Sequence, residues 1–189
     1  MKTQPHKGTT LMEIILWLVV VLAIIVGVIT MSKSAGNSNS INDEIQNIHF
    51  MLGKTHSLLK QKGIYDYASE TEMTGILIQF GGVPETMNIT GDKTTGSATL
   101  QNAWSGHVTV APVADANGNN TGFKLTYDGI PQNVCATLAV KISGSAVVDH
   151  IAINGEQTDG TITPTDASSQ CLSDKGATGT NTLEFISNT

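Results

Sequence analysis

Two hydrophobic patterns follow one another in the first third of the chain. Residues 14–29 are apolar or glycine at every position, and Glu13 is the only charged residue within residues 9–31. A helix needs about 20 mostly apolar residues to cross a bilayer, because each residue adds about 1.5 Å. The segment 9–31 is therefore predicted to be a helix that is apolar on every side and long enough to span a membrane.

The second pattern is amphipathic and begins after a polar join at residues 32–40. Its apolar positions recur at helical spacing, at Ile41, Ile45, Ile48, Leu52 and Leu59. The polar side is predicted to carry Asp43, Glu44, Gln46, Asn47, Lys54 and Lys60. We read residues 10–62 as one long helix that Gly63 terminates. The join is rich in poor helix formers, and whether the helix breaks, bends or frays there is left open.

Beyond Gly63 the pattern changes to short strands and turns. Residues 104–110 and 123–127 alternate apolar and polar side chains, and the strong turn signal at residues 115–122 separates them. This arrangement predicts an antiparallel hairpin. The other predicted elements are a helix over residues 131–142, strands over 147–153 and 182–186, and a helix or strand over 75–80. The predicted fold class is α+β, with one antiparallel sheet against the second half of the long helix.

Charge and cysteine content narrow the classes of function. The chain has ten lysines, no arginine and sixteen acidic residues, so its formal net charge is −6. Binding to nucleic acid depends on neutralising phosphates with basic side chains, so no nucleic acid partner is expected. Two cysteines, both far from the apolar segment, suit a single disulfide in an oxidising compartment; two free buried thiols are the alternative.

The residues just before the apolar segment form a motif, Lys7-Gly8-Thr9-Thr10-Leu11-Met12-Glu13. A short basic leader, a glycine and an apolar helix with a glutamate five residues after that glycine resemble the type IV prepilin family. The resemblance implies cleavage between Gly8 and Thr9 by a prepilin peptidase and methylation of the new Thr9 amine. It also implies that Glu13 neutralises the amine of a neighbouring subunit when the helices pack into a filament core.

Other interpretations of the same segment remain open at this point. Thr10 and Glu13 also fit a capping box, in which the glutamate reaches back to the helix N-terminus. On that interpretation the segment is an uncleaved signal anchor, with Lys2 and Lys7 at its cytoplasmic end. A cleavable secretory peptide is disfavoured, because its small-residue cleavage site follows a shorter apolar core of about 7–15 residues.

A second resemblance comes from the downstream part of the chain. Residues 102–110 and 123–135 are similar to the globular domain of type IVb pilins, above all those of thin conjugative and enterobacterial adhesive pili. The resemblance implies a disulfide between Cys135 and Cys171. The chain departs from the family in its leader of eight residues, in threonine at position 9 and in the lack of the proline that kinks the anchor helix of many type IVa pilins.

A search for catalytic and metal-binding patterns finds none, and no cofactor is expected. The five histidines form no H-E-x-x-H, and neither cysteine belongs to a C-x-x-C pair. Residues 115–119 begin like a calcium loop, but Asn120 and Thr126 stand where that loop requires glycine and glutamate. The sequence therefore predicts a protein that is not an enzyme.

These observations predict a type IVb pilin. The predicted parts are a leader (1–8), a transmembrane and filament-core helix (9–31), an amphipathic second half of the helix (32–62) and a globular domain (63–189). The expected partners are further copies in a surface fibre, a prepilin peptidase, the pilus assembly machinery and, before assembly, the bacterial inner membrane. The alternatives are a pseudopilin of a type II secretion system and a membrane-anchored binding module whose anchor stays uncleaved.

Overall fold

The computed structural model describes residue 15, residues 39–175 and residues 179–188. The chain divides into two compact units, Met1–Asn39 and Ser40–Thr189, and the second contains the globular domain. Within the described residues, no helix is both long enough and apolar enough to cross a membrane. Only Ile15 of the predicted membrane segment belongs to them, and the predicted join at residues 32–40 is described only from residue 39 onward.

The first helix, α1, covers residues 39–59 of the described chain. Its apolar side packs into the core as predicted: Ile48, Leu52 and Leu59 are buried, and Ile41 and Ile45 are partly buried. The helix ends at residue 59, three residues before the predicted end. Lys62 and Gly63 then take left-handed backbone conformations with φ of 50° and 90°, which turn the chain away from the helix axis.

The domain is built on one antiparallel sheet of seven strands in the order β1-β2-β3-β4-β7-β5-β6. The strands are β1 (Asn88–Thr90), β2 (Thr99–Gln101), β3 (His107–Val113), β4 (Gly122–Ile130), β5 (His150–Ile153), β6 (Glu156–Asp159) and β7 (Asn181–Ser187). The predicted hairpin is confirmed as β3 and β4, with Val108 opposite Tyr127 and Val113 opposite Gly122. Buried side chains alternate along β4 and β7, which lie in the centre of the sheet.

The segment after α1 differs from the prediction. Helix α2 spans Glu70–Gln79, so it resolves the choice between helix and strand for residues 75–80 and begins five residues earlier. A reciprocal cap explains the early start. The Ser69 hydroxyl accepts from the Glu72 backbone N–H at 3.2 Å, and the Glu72 carboxylate accepts from the Ala68 N–H at 2.8 Å.

Helix α2 lies close to the loop that precedes β2. A side chain at Gly75 would place its Cβ only 1.8 Å from the backbone oxygen of Gly96, so only glycine allows this approach. Helix α3 (Gln132–Ser143) agrees with the prediction to within a residue at each end, and Pro131 is its N-cap. The predicted strand at 147–153 is shorter in the structure, where β5 begins only at His150.

Four short elements are missing from the sequence-based prediction: β1, β2, β6 and helix α4 (Pro164–Gln170). Two of them have a local signal. Asn154 and Gly155 form the tight turn between β5 and β6, both with positive φ, as Asn-Gly hairpin turns require. Thr163 caps α4 by accepting from the Asp166 N–H, and Pro164 occupies the first turn.

Candidate functional site

The residues predicted to take part in processing and assembly, Gly8, Thr9 and Glu13, lie outside the described residues. The two cysteines lie within them. Three parts of the domain hold polar groups in defined arrangements: a disulfide-closed C-terminal region, a buried carboxylate between α1 and the sheet, and the tip of the β3–β4 hairpin.

Cys135 and Cys171 form a disulfide, as the type IVb resemblance implies, with 6.0 Å between their Cα atoms. Cys135 lies in the first half of α3, and Cys171 follows the last residue of α4; both are buried. Gln132 at the start of α3 adds two hydrogen bonds to the chain around Cys171. Its backbone N–H donates to the Asp174 carboxylate at 2.8 Å, and its side-chain amide donates to the Cys171 carbonyl at 3.0 Å. The bridge therefore joins two helices that are far apart in sequence.

A fully buried asparagine, Asn181, holds the other side of this region. Its amide nitrogen donates to the carbonyls of Ile130 and Leu172, and its amide oxygen accepts from the Leu172 N–H at 2.7 Å. Asn154 donates to the same oxygen at 3.0 Å. Because every polar atom of the side chain has a partner, its burial carries no unsatisfied group. Asn181 thus connects β7, the end of β4 and the chain that follows the disulfide.

The second polar cluster, which we call the Glu44 cluster, consists of Glu44, Asn47, Ala103 and Tyr127. Glu44 on α1 is only 3% exposed. One carboxylate oxygen accepts from the Ala103 backbone N–H at 2.7 Å. The other accepts from the Tyr127 hydroxyl at 3.1 Å and from the Asn47 amide at 3.2 Å. The cluster therefore joins the helix to the loop before β3 and to the central strand β4.

Burial dominates the electrostatics of the Glu44 cluster. It raises the pKa of Glu44 above its ordinary value, although the three hydrogen bonds act in the opposite direction. Burial, followed by the neighbouring Glu44 charge, raises the pKa of Tyr127 well above its ordinary value, so this phenol stays a hydrogen-bond donor at neutral pH.

The sequence-based prediction placed Glu44 and Asn47 on the polar side of α1, and the structure shows that both are buried. The physical reason is that the loop containing Ala103 covers this side of the helix, and helical periodicity contains no information about a loop so distant in sequence. One local signal was present: Glu44 and Asn47 are three residues apart and share a helix face, so they can bond to each other.

A cleft runs along α1 beside this cluster. One part has a volume of about 360 Å³ and is lined by Asp43, Gln46, Asn47, Phe50, Pro84 and Thr86. A second part of about 160 Å³ shares three of those residues and reaches Glu44, Asn88 and Asn102. Phe50 is 42% exposed at its edge.

The β3–β4 hairpin tip is a compact turn organised by Asp115. One of its carboxylate oxygens accepts from the backbone N–H groups of Asn117 and Asn119 at 2.8 and 2.9 Å. These bonds, the Asn119 one first, lower the pKa of Asp115. In the described part of the chain, no group of three or more His, Cys, Asp or Glu side chains is arranged to hold a metal ion.

Comparisons with known proteins agree with these observations. Residues 38–188 match the PilS N-terminal family. The chain therefore belongs to the PilS family of type IVb pilins. Comparison with curated proteins gives no significant match.

Solved structures support the same assignment. The chain is 39% identical to a type IVb pilin crystal structure from Salmonella typhi, with a TM-score of 0.65, and the match covers 76% of this chain and 97% of that one. The chain is 35% identical to the NMR structure of the type IVb pilin PilS from Salmonella typhi, with a TM-score of 0.52. That match covers 77% of this chain and 94% of the other. TcpA, a type IV pilin from Vibrio cholerae El Tor biotype, is 13% identical with a TM-score of 0.55 over 78% of this chain and 98% of its own, which shows a shared fold.

Family membership confirms the predicted fold class and the predicted role as a structural subunit of a pilus. A pilus is a polymer on the outside of the cell, which agrees with a disulfide-bonded domain. Family and fold are those of structural subunits rather than of enzymes.

Proposed function

We propose that this chain is the precursor of a pilus subunit that is cut between Gly8 and Thr9 and then assembled through the helix that begins at the cut. One observation supports this above all. A domain of the PilS family over residues 38–188 is preceded, in the same chain, by the prepilin-like motif at residues 7–13. Each feature by itself fits more than one class of protein, but their order along the chain is the one a prepilin needs.

In this proposal each part of the chain has a separate role. Residues 1–8 are the leader, and residues 9–31 lie in the inner membrane before assembly and in the fibre core afterwards. Residues 32–62 carry the amphipathic half of the helix, and residues 63–189 form the globular domain. In the fibre outside the cell, burial of the apolar helices against one another keeps their apolar surface out of water, which stabilises the polymer. Subunits that contact each other through two different surfaces form an open helical fibre when the rotation between them does not close a ring.

The leader is suited to a cut on the cytoplasmic side. Lys2 and Lys7 keep the N-terminus there, because carrying ammonium groups through hydrocarbon costs free energy. Glycine at position 8 leaves the backbone accessible to the prepilin peptidase, since a side chain would restrict both approach and torsion angles.

The cut also creates the charge that Glu13 is proposed to meet. Until the chain is cleaved, residue 9 has an amide and no amine. After cleavage, the Thr9 ammonium of one subunit pairs with the Glu13 carboxylate of a neighbour and sets the axial register of the fibre. A carboxylate left unpaired in hydrocarbon would cost about 2.5–3.5 kcal/mol at the bilayer centre, so pairing also removes a penalty.

The test is the N-terminus of the fibre subunit. We expect N-terminal sequencing and intact mass of shed fibres to show a chain beginning at Thr9. Gly8→Val is expected to leave a full-length, membrane-bound precursor and no fibres, whereas the control Gly27→Ala, inside the apolar segment, is expected to be cleaved normally.

Assembled fibres that retain Met1, or a mature chain beginning elsewhere, would contradict the proposal. Electron microscopy of shed material distinguishes a surface fibre from the short assembly of a secretion pseudopilin. A membrane-anchored protein that keeps residues 1–8 and forms no fibre would instead support the uncleaved binding module.

A further inference from the structure

No basic side chain of the described residues pairs with the buried carboxylate of Glu44. Among the described residues, the close contacts between basic and acidic side chains join Lys124 to Glu184 and His150 to Asp159, and neither includes Glu44. The three donors to its carboxylate described above are all neutral groups: a backbone N–H, a phenol and an amide. Buried carboxylates are normally paired, because the charged form loses its hydration on leaving water.

The other elements packed around Glu44 do not compensate for this charge. On its own helix the neighbouring charged group is Asp43, an exposed carboxylate that opposes ionisation of Glu44. From β4 the facing titratable group is Tyr127, which is neutral. The loop residues 102–104 and the cleft-lining residues 86–88 contain no ionisable side chain. Apart from the three hydrogen bonds, which favour the charged form, the surroundings of Glu44 therefore shift it toward the neutral acid and raise its pKa above the ordinary value.

The geometry accommodates that neutral acid without loss of a contact between α1 and the sheet. A protonated carboxyl group donates one hydrogen bond and still accepts others. A protonated Glu44 can donate to the Tyr127 oxygen, whose own hydrogen then no longer has Glu44 as its acceptor, while the Ala103 N–H continues to donate to the other oxygen. Protonation thus removes a buried charge but keeps the connections from α1 to β4 and to the loop before β3.

We propose that Glu44 makes the attachment of α1 to the sheet pH-dependent and that the helix is held more firmly when this carboxyl group is protonated. The proposal concerns the folded domain and does not depend on the processing proposed above. The group therefore acts on α1, the helix at the start of the described globular unit.

The direction follows from linkage between protonation and folding. In the unfolded chain Glu44 titrates near its ordinary value of 4.5, and burial raises its pKa in the folded domain. The contribution of this group to stability is therefore full below pH 4.5 and is lost as the pH rises through the raised pKa. Moderate acid should strengthen this attachment, which is opposite to the effect of an acid held in a salt bridge.

The experiment follows the Ala103 amide, whose proton points at the Glu44 carboxylate. In full-length protein in detergent micelles, we expect its NMR resonance to titrate between pH 4 and pH 8 with a midpoint above 4.5. Glu44→Gln should abolish the titration of the Ala103 resonance. In Asp43→Asn, which removes the adjacent exposed acid, the resonance should still titrate. A midpoint at or below 4.5, or no titration, would overturn the proposal.

A second measurement compares the denaturant midpoints of wild type and Glu44→Gln at pH 7.5 and pH 5. As the pH falls, the denaturant midpoint of the wild type should rise relative to that of the variant, because only the wild type takes up a proton at this position. A difference that stays constant, or that changes in the opposite direction, would contradict the proposal. If Glu44→Gln does not fold, the titration of the wild-type Ala103 resonance still decides the question.

Discussion

The Thr74 hydroxyl on α2 forms two hydrogen bonds with the backbone of Val110 on β3. It accepts from the Val110 N–H at 2.8 Å and donates to the Val110 carbonyl at 3.3 Å. Strand β2 pairs with β3 only at His107 and Val108, so the side chain of a helix takes the place of a strand partner at Val110. This explains why β3 has no unpaired backbone group at this buried position, where it extends beyond the short strand β2.

We therefore expect Thr74→Val to destabilise the domain although it preserves side-chain shape. The substitution removes the hydroxyl and leaves the N–H and carbonyl of Val110 buried without partners. An unsatisfied buried polar group costs about 1–3 kcal/mol, so the free energy of unfolding should fall by at least that amount.

Chemical denaturation of the purified protein measures this loss. Thr71→Val is the matched control, since Thr71 lies on the same helix but is exposed. Equal stability of the Thr74 and Thr71 variants would show that the two bonds with Val110 do not contribute.

Loss of the disulfide should destabilise the C-terminal region without preventing membrane insertion. Cys135 and Cys171 are separated by 36 residues in the sequence. A bridge that closes a loop of this size stabilises the folded chain by about 3–4 kcal/mol in the chain-entropy model. Cys135→Ser should reduce the free energy of unfolding by about this amount and lower the yield of fibres.

Reductant provides the control for that variant. Dithiothreitol should lower the stability of the wild type to that of Cys135→Ser and should leave the variant unchanged. Free alkylation of both thiols in native protein would contradict the prediction.

Acid should weaken the contribution of Asp115 to the stability of the hairpin tip, whereas it strengthens the contribution of Glu44. Hydrogen bonds from Asn119 and Asn117 lower the pKa of Asp115 below its ordinary value of 3.8. Its contribution to stability is therefore present above pH 3.8 and is lost as the pH falls through the lowered pKa. We expect the Asn119 amide resonance to titrate with a midpoint below 3.8. Asp115→Ala should remove this titration, and Asp92→Ala, in another loop, should not.

The two proposed roles of Glu13 predict different results for Glu13→Gln. Glutamine also serves in a capping box, so the substitution should be mild if Glu13 only caps its own helix. If Glu13 pairs with the Thr9 amine of a neighbour, loss of the charge should prevent assembly while cleavage after Gly8 continues. We expect the second result, measured as fibre number by electron microscopy and as precursor processing by immunoblot. Normal fibre numbers would exclude the pairing role.

The success of the sequence-based prediction differs between long and short elements for a physical reason. Periodicity is recognisable where an element contains several helical turns or several alternating apolar and polar positions. This is the case for the amphipathic half of α1, the β3–β4 hairpin and α3. Strands β1 and β2 have three residues each, too few for an alternation to be recognised. β1 pairs with β2, and β2 pairs with β3, and periodicity within so short a segment cannot indicate either partner.

The sequence by itself determined the order of an apolar segment and an amphipathic helix, the fold class, the prepilin-like motif and, through family resemblance, the cysteine pair. These features depend on residues that are close in sequence or on a pattern shared by a whole family. Only the tertiary structure decided that Glu44 is buried, that Tyr127 and Ala103 are its partners, and that Thr74 completes the edge of β3. Each of these contacts joins residues at least 36 positions apart, and burial of a polar group depends on which distant segment covers it.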